Sequence, residues 1–132
     1  MPAYTWRGTF ASNEVESLHA LGFNRPASFE WDWWQQVTRH SLGWVCARED
    51  DALVGWVNVA WEGGVHAFLL DVVVHPSHRR RGIGRQLVAQ AELRARNAGC
   101  EWLHVDFGED LRGFYLTECG FSPTGAGLIA LV

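Results

Sequence analysis

Four of the chain's basic residues, Arg79, Arg80, Arg81 and Arg85, crowd around two glycines in the run Arg79-Arg80-Arg81-Gly82-Ile83-Gly84-Arg85. The run follows the apolar stretch Val72-Val73-Val74-His75-Pro76 and leads into a segment with helical spacing. A turn from a strand end into a helix start leaves several backbone N–H groups without partners, and such a point attracts an anion. Gly82 and Gly84 let the backbone approach a pyrophosphate, while Arg79, Arg81 or Arg85 can add charge-assisted contacts. The plainer reading of these residues is an exposed basic helix start whose glycines permit a tight turn. No Gly-Lys-Ser/Thr follows, as a Walker A loop needs, and no second glycine pair makes the dinucleotide pattern G-x-G-x-x-G. Nucleoside triphosphates and nicotinamide cofactors are therefore disfavoured.

Asp71 stands in an otherwise apolar segment, where an ionised carboxylate is costly unless it is paired or put to use. It is a candidate base taking up a proton through water; the alternative is a salt bridge to an arginine or a place where the strand meets solvent. Glu62 and His66, which flank the preceding turn, are further candidates, and His104 reads better as a satisfied sheet histidine. Six of the eight tryptophans, Trp31, Trp33, Trp34, Trp44, Trp56 and Trp61, fall in one stretch. Beside Glu30 and Asp32 some of them suit an aromatic pocket for a cationic amine. Core or interface packing is the other role open to them.

These groups need a scaffold, and the composition limits it. A chain of 132 residues, 48% hydrophobic, is the size of one domain, here residues 1–132, with a sizeable core. No stretch approaches the roughly 20 uninterrupted apolar residues that span a bilayer, and the first residues lack the apolar core of a signal peptide. No membrane association and a cytoplasmic location are the expectations. Cys46, Cys100 and Cys119 are odd in number and lack C-x-x-C spacing, which supports neither a disulfide framework nor a metal site. The net charge of −4 argues against nucleic acid as a partner and makes the arginine run a local anion site.

Strands and helices alternate along the chain. Tyr4 to Phe10 reads as a strand. A helix capped by Ser12 or Asn13 follows, with Val15, Leu18 and Leu21 on one face and a stop near Gly22. A second helix is predicted from Phe29 to about His40, with Ser28 at its N-cap. Leu42 to Arg48 and Leu53 to Trp61 should pair as a hairpin across Glu49-Asp50-Asp51. Val65 to Val74 is almost continuously apolar, as a strand covered on both faces requires. From Gly84 a helix runs to Ala98, and Trp102 to Phe107 is the next strand, with Leu103, Val105 and Phe107 on one face. Asp110 to about Cys119 reads as a short helix and Gly127 to Val132 as a last strand. The strand, helix, strand unit from Val65 to Phe107 implies a parallel pair inside a mixed α/β sheet.

Arg79, Gly82 and Gly84 match the R/Q-x-x-G-x-G/A signature of the GNAT acyltransferases. Gly113-Phe114-Tyr115 through Cys119-Gly120-Phe121 adds a second motif in the right order. Over roughly residues 42 to 121 the chain resembles that family. The resemblance implies a sheet whose parallel fourth and fifth strands splay apart between flanking helices. It further implies acetyl-CoA (coenzyme A) as cofactor, its pantetheine arm on Val72 and Val74 and its pyrophosphate on the main chain from Arg79 to Gly84. An amine, small or peptidic, would attack the thioester directly, without an acyl-enzyme. By the same resemblance Tyr115 is the general acid at the sulfur, and a backbone N–H near Val73 serves the oxyanion. A non-catalytic acyl-CoA-binding module on the same fold is the alternative. Where the family often has an asparagine after its fifth strand, this chain has Asp106-Phe107-Gly108-Glu109-Asp110. One strand after Phe121, where the family usually has two, leaves an edge that a partner subunit in a homodimer would complete.

Overall fold

A computed structural model describes residues 1–132. Five strands form one sheet in sequence order: β1 (Ala3–Trp6), β2 (Ser41–Glu49), β3 (Ala52–Trp61), β4 (His66–Val74) and β5 (Trp102–His104). The first four are antiparallel neighbours, and β4 and β5 are parallel. Between β1 and β2 lie α1 (Ser12–Gly22) and α2 (Trp33–His40); α3 (Ile83–Asn97) makes the crossover from β4 to β5. After β5 comes a π-helical segment, Gly113–Glu118. No helix is long and apolar enough to cross a membrane.

Each face of the sheet has its own core. On one, Val45, Val57, Val59, Ala67 and Leu69 meet Ile83, Leu87, Val88 and Ala91 of α3 together with Tyr115. On the other, Trp44, Trp56 and Val73 meet Val15 and Leu18 of α1, Trp33 and Val37 of α2, and Phe10. Trp33, Trp44 and Trp56 are thus core residues, joined edge-on around Phe10 and each other. Trp31 and Trp34 stay exposed, and the Trp61 indole caps the Gly64 carbonyl at 2.8 Å. The six tryptophans do not line one pocket.

Several elements depart from the sequence reading, for local reasons. The helix α1 buries Glu16 and leaves Leu21 exposed. It starts without a side-chain cap from Ser12 or Asn13; the Glu14 carboxylate turns back to accept the Ala11 N–H at 2.9 Å. Ser12 accepts instead from the Trp33 N–H at 2.8 Å, tying the starts of the two helices together. Ser28 does not cap α2; its N–H donates to buried Glu16 at 2.6 Å. The helix begins later, at Trp33, where Asp32 accepts the Gln35 N–H at 3.0 Å. Asp32 is therefore the cap of α2. The strand predicted for Gly127 to Val132 does not form: the segment has no regular structure, and Leu128, Ile129, Leu131 and Val132 are exposed.

Candidate active site

The parallel pair β4 and β5 is matched over His66, Ala67 and Phe68 only, opposite Trp102, Leu103 and His104. Beyond Phe68 nothing pairs with that edge of β4, so the two strands splay. Asp71 and Val72 cause part of the departure. They form a bulge opposite β3, between the pairs Asn58–Leu70 and Trp56–Val73, with Asp71 at φ 59°. Past the bulge the strand alternates regularly. The His75 N–H donates to Val54 O at 2.8 Å, toward β3, so alternation turns the Val73 N–H to β3 as well. Those of Val72 and Val74 face the open gap. The Val73 side chain belongs to the core cluster that holds Trp33 and Trp56, and the two free amides flank Val73, near which the oxyanion donor was expected.

The gap leads into a cleft of about 750 Å³. Val72, Val73, Val74, Arg79, Arg80, Gly82, Ile83, Gly84 and Arg85 wall it on one side, and Phe114, Tyr115 and Glu118 on the other. At the head of α3 no side chain caps the helix. The first intrahelical bond runs from the Gln86 N–H to Gly82 O, at 3.1 Å. The N–H groups of Ile83, Gly84 and Arg85 are therefore free at the positive end of the helix dipole. Gly82 has φ 78° and Arg80 φ 64°, left-handed turns that bring successive N–H groups toward one side. A Cβ on Gly82 would meet nothing within 4 Å, whereas one on Gly84 would stand 3.3 Å from Phe114 Cζ. Conformation demands the first glycine and the Phe114 ring the second.

The arginines divide their work. Arg79 donates to the Gly22 carbonyl at the end of α1, at 2.9 Å. Arg81 turns away from the cleft to pair with Glu49 at 2.8 Å, and its guanidinium holds that carboxylate below its ordinary pKa. Arg80 and Arg85 keep their charges free at the cleft wall.

Tyr115 is 6% exposed and stacks on Phe107, with their centroids 5.0 Å apart. Burial, and to a lesser extent Cys119 and Asp106, push its phenol up to about 12. Its hydroxyl bonds to no protein group and is not among the fully enclosed unpaired atoms, so it opens to the cleft. Asp71 lies one residue outside the cleft wall and faces α1, where His19 Nε2 stands 2.9 Å from its Oδ1. Among the weaker candidates, Glu62 accepts the N–H groups of Gly64 and His66. His66 and His104 bond to each other at 2.7 Å. Sequence reasoning missed His19 and Phe23; the first sits on the buried side of α1, and the second lines the cleft.

The sequence model of the acetyltransferase (GNAT) family matches residues 9–121. The mycothiol acetyltransferase of Mycolicibacterium smegmatis is 36% identical over 67 residues, which is 51% of this chain and 21% of that protein. The chain thus spans about a fifth of the length of that curated relative. A GNAT family acetyltransferase of Streptococcus pneumoniae superposes with TM-score 0.74 at 25% identity, covering 100% of both chains. The structure of AAC(6')-Iy in complex with a bisubstrate analogue, CoA-S-monomethyl-acetylneamine, superposes with TM-score 0.77 at 18% identity. That match covers 98% of this chain and 97% of the other and bears on the fold alone. A family match that runs from Thr9 to Phe121, through every element that builds the cleft, makes this chain a member of the GNAT acetyltransferases.

Proposed function

We propose that the chain transfers an acetyl group from acetyl-CoA to a primary amine by direct attack. The observation that carries this reading is one continuous cleft: the unpaired edge of β4 at Val72 and Val74 runs into the free N–H groups that open α3. Acetyl-CoA supplies the activated thioester. A diphosphate fits against the N–H groups of Ile83, Gly84 and Arg85, with Arg80 and Arg85 adding charge. An extended amide-bearing arm fits along β4, pairing with Val72 and Val74 as a further strand would. Whichever of these two amides the arm leaves unpaired is the donor for negative charge on the carbonyl oxygen.

Tyr115 faces the leaving sulfur in this reading. A phenol pushed up to about 12 is a weaker acid than an ordinary thiol at about 8.5, so complete proton transfer to the thiolate runs uphill. The hydroxyl therefore stabilises the thiolate by donating a hydrogen bond, and the proton itself comes from solvent. Asp71 takes the proton the amine must lose. The thiols support direct attack. Burial pushes Cys46 up to about 12 and Cys119 up to about 11, and raises Cys100. None of the three is a thiolate nucleophile near neutral pH.

A cytoplasmic setting agrees with three unpaired cysteines. A homodimer agrees with the outer edge of β5, which no strand of this chain covers. The test of the function is release of free thiol from acetyl-CoA in the presence of a panel of primary amines. Turnover with at least one amine, lost in Tyr115→Phe, supports transfer. Tight CoA binding with no turnover across the panel would make the chain a binding module.

A further inference from the structure

His19 is enclosed on both faces by aromatic rings, Phe23 at 4.4 Å and Trp33 at 5.0 Å between centroids. Its two nitrogens are both engaged. The Arg25 Nε–H donates to Nδ1 at 3.0 Å, and Nε2 lies 2.9 Å from Asp71 Oδ1. A guanidinium only donates, so Nδ1 must present its lone pair, and the ring's one proton sits on Nε2. The imidazole is therefore neutral, donating to Asp71 without cancelling its charge.

Arg25 is not free to leave or to neutralise Asp71 directly. Its two terminal nitrogens each donate to Glu16 at 2.8 Å. The same carboxylate accepts from Ser28 N–H at 2.6 Å and the Trp33 indole at 2.9 Å, filling its acceptor positions. Glu16 is 2% exposed, and these contacts, Arg25 foremost, hold its carboxyl down to about 2. The cation of Arg25 is thus matched by Glu16. Asp71, its side chain 26% exposed, is left without a direct ion pair to Arg25, whose cation reaches it only through His19 and through space.

We propose that His19 is a positioning residue: a neutral imidazole, locked in one tautomer by Arg25, that aims the Asp71 carboxylate at an incoming protonated amine. The bulge at Asp71 supplies the other half of the arrangement, since its left-handed backbone turns the side chain to α1 while Val72 stays on the cleft wall. The amine is drawn to a carboxylate that has no direct ion pair and passes a proton to it: one N–H bond breaks and an O–H bond forms on Asp71. The freed nitrogen lone pair forms the C–N bond at the acyl carbon, and the C–S bond breaks to release the coenzyme A thiolate, which takes up, through solvent, the second proton that the nitrogen loses. The inference rests on acetyl transfer as the activity.

Two measurements test it. In the nitrogen spectrum of histidine-labelled protein at neutral pH, His19 is expected to carry its proton on Nε2 alone. A proton on Nδ1, or on both nitrogens, overturns the proposal. For the amine that the wild-type enzyme turns over best, His19→Leu is expected to lower kcat about tenfold with KM for acetyl-CoA unchanged, through loss of carboxylate placement. His19→Gln, which returns an N–H donor near the Nε2 position, is expected to regain most of that activity. Adding His19→Leu to Asp71→Asn is expected to cost little more than Asp71→Asn alone, because the histidine acts through the carboxylate. Fully multiplicative losses, or a His19→Leu enzyme as active as wild type, overturn it. If no amine is turned over, acetyl transfer itself falls, and the tautomer alone decides the lock.

Discussion

The Phe114 ring covers Gly84, with 3.3 Å between its Cζ and the place where a Cβ would stand. A side chain at the second turn position is thus a tight fit against the far wall of the cleft. In Gly84→Val the Phe114 ring must give way. Overpacking of this kind costs about 1–3 kcal/mol. The thermal midpoint is expected to drop accordingly, and CoA affinity by calorimetry to fall about tenfold. An unchanged affinity in a folded variant would remove Gly84 from the cleft.

The arginines give a sharper contrast. Arg81 is committed to Glu49 at 2.8 Å, whereas Arg85 faces the cleft. Arg85→Ala is expected to weaken CoA about tenfold, the worth of one charge-assisted contact. Arg81→Ala should leave binding within about twofold, since an exposed ion pair contributes little. Equal losses in the two variants would contradict this division.

Acid stability should report Glu16. Its folded pKa, about 2, lies below the ordinary value near 4.5, so the native state binds fewer protons than the unfolded chain between those values. Stability from this group is present in full above about pH 4.5 and is lost as pH falls through about 2; its size is roughly 3 kcal/mol. Denaturant melts from pH 7 to pH 3 are expected to show the loss beginning below about pH 4.5. In Glu16→Gln that segment of the acid limb should flatten, and stability at pH 7 should be lower because Arg25 loses its counterion.

Tyr115→Phe removes one hydroxyl from a ring that stays packed against Phe107. Loss of a single donor to developing charge is expected to cost about a hundredfold in kcat. Because the phenol is pushed up to about 12, wild-type kcat should show no alkaline fall from this group below about pH 10. A retained rate in the variant would remove Tyr115 from the reaction.

The features read directly from sequence are those set by neighbours in the chain. The β2–β3 hairpin, the apolar β4, α3 and the turn at Arg79 to Gly84 each follow from periodicity, glycine placement and unpaired amides. Leu103, Val105 and Phe107 share a core-facing side, as their alternation implied. What could not be read is set by contacts distant in sequence. Asp71 meets His19 52 residues away, and Arg81 is drawn off by Glu49 32 residues away. The Ser28 N–H is bound by Glu16 12 residues away, while α2 starts at Trp33 under the Asp32 cap. The segment Gly127 to Val132 has strand-like residues, but no β5 edge pairs with it, and composition alone cannot supply that partner.

The most direct measurement is an amide-resolved NMR titration of the protein with coenzyme A. If the diphosphate lies at the head of α3, the N–H signals of Gly82, Ile83, Gly84 and Arg85 shift together with those of Val72 and Val74, and saturate at one ligand concentration. Shifts confined to other residues, with these six unmoved, would contradict the cofactor site and the transferase reading built on it.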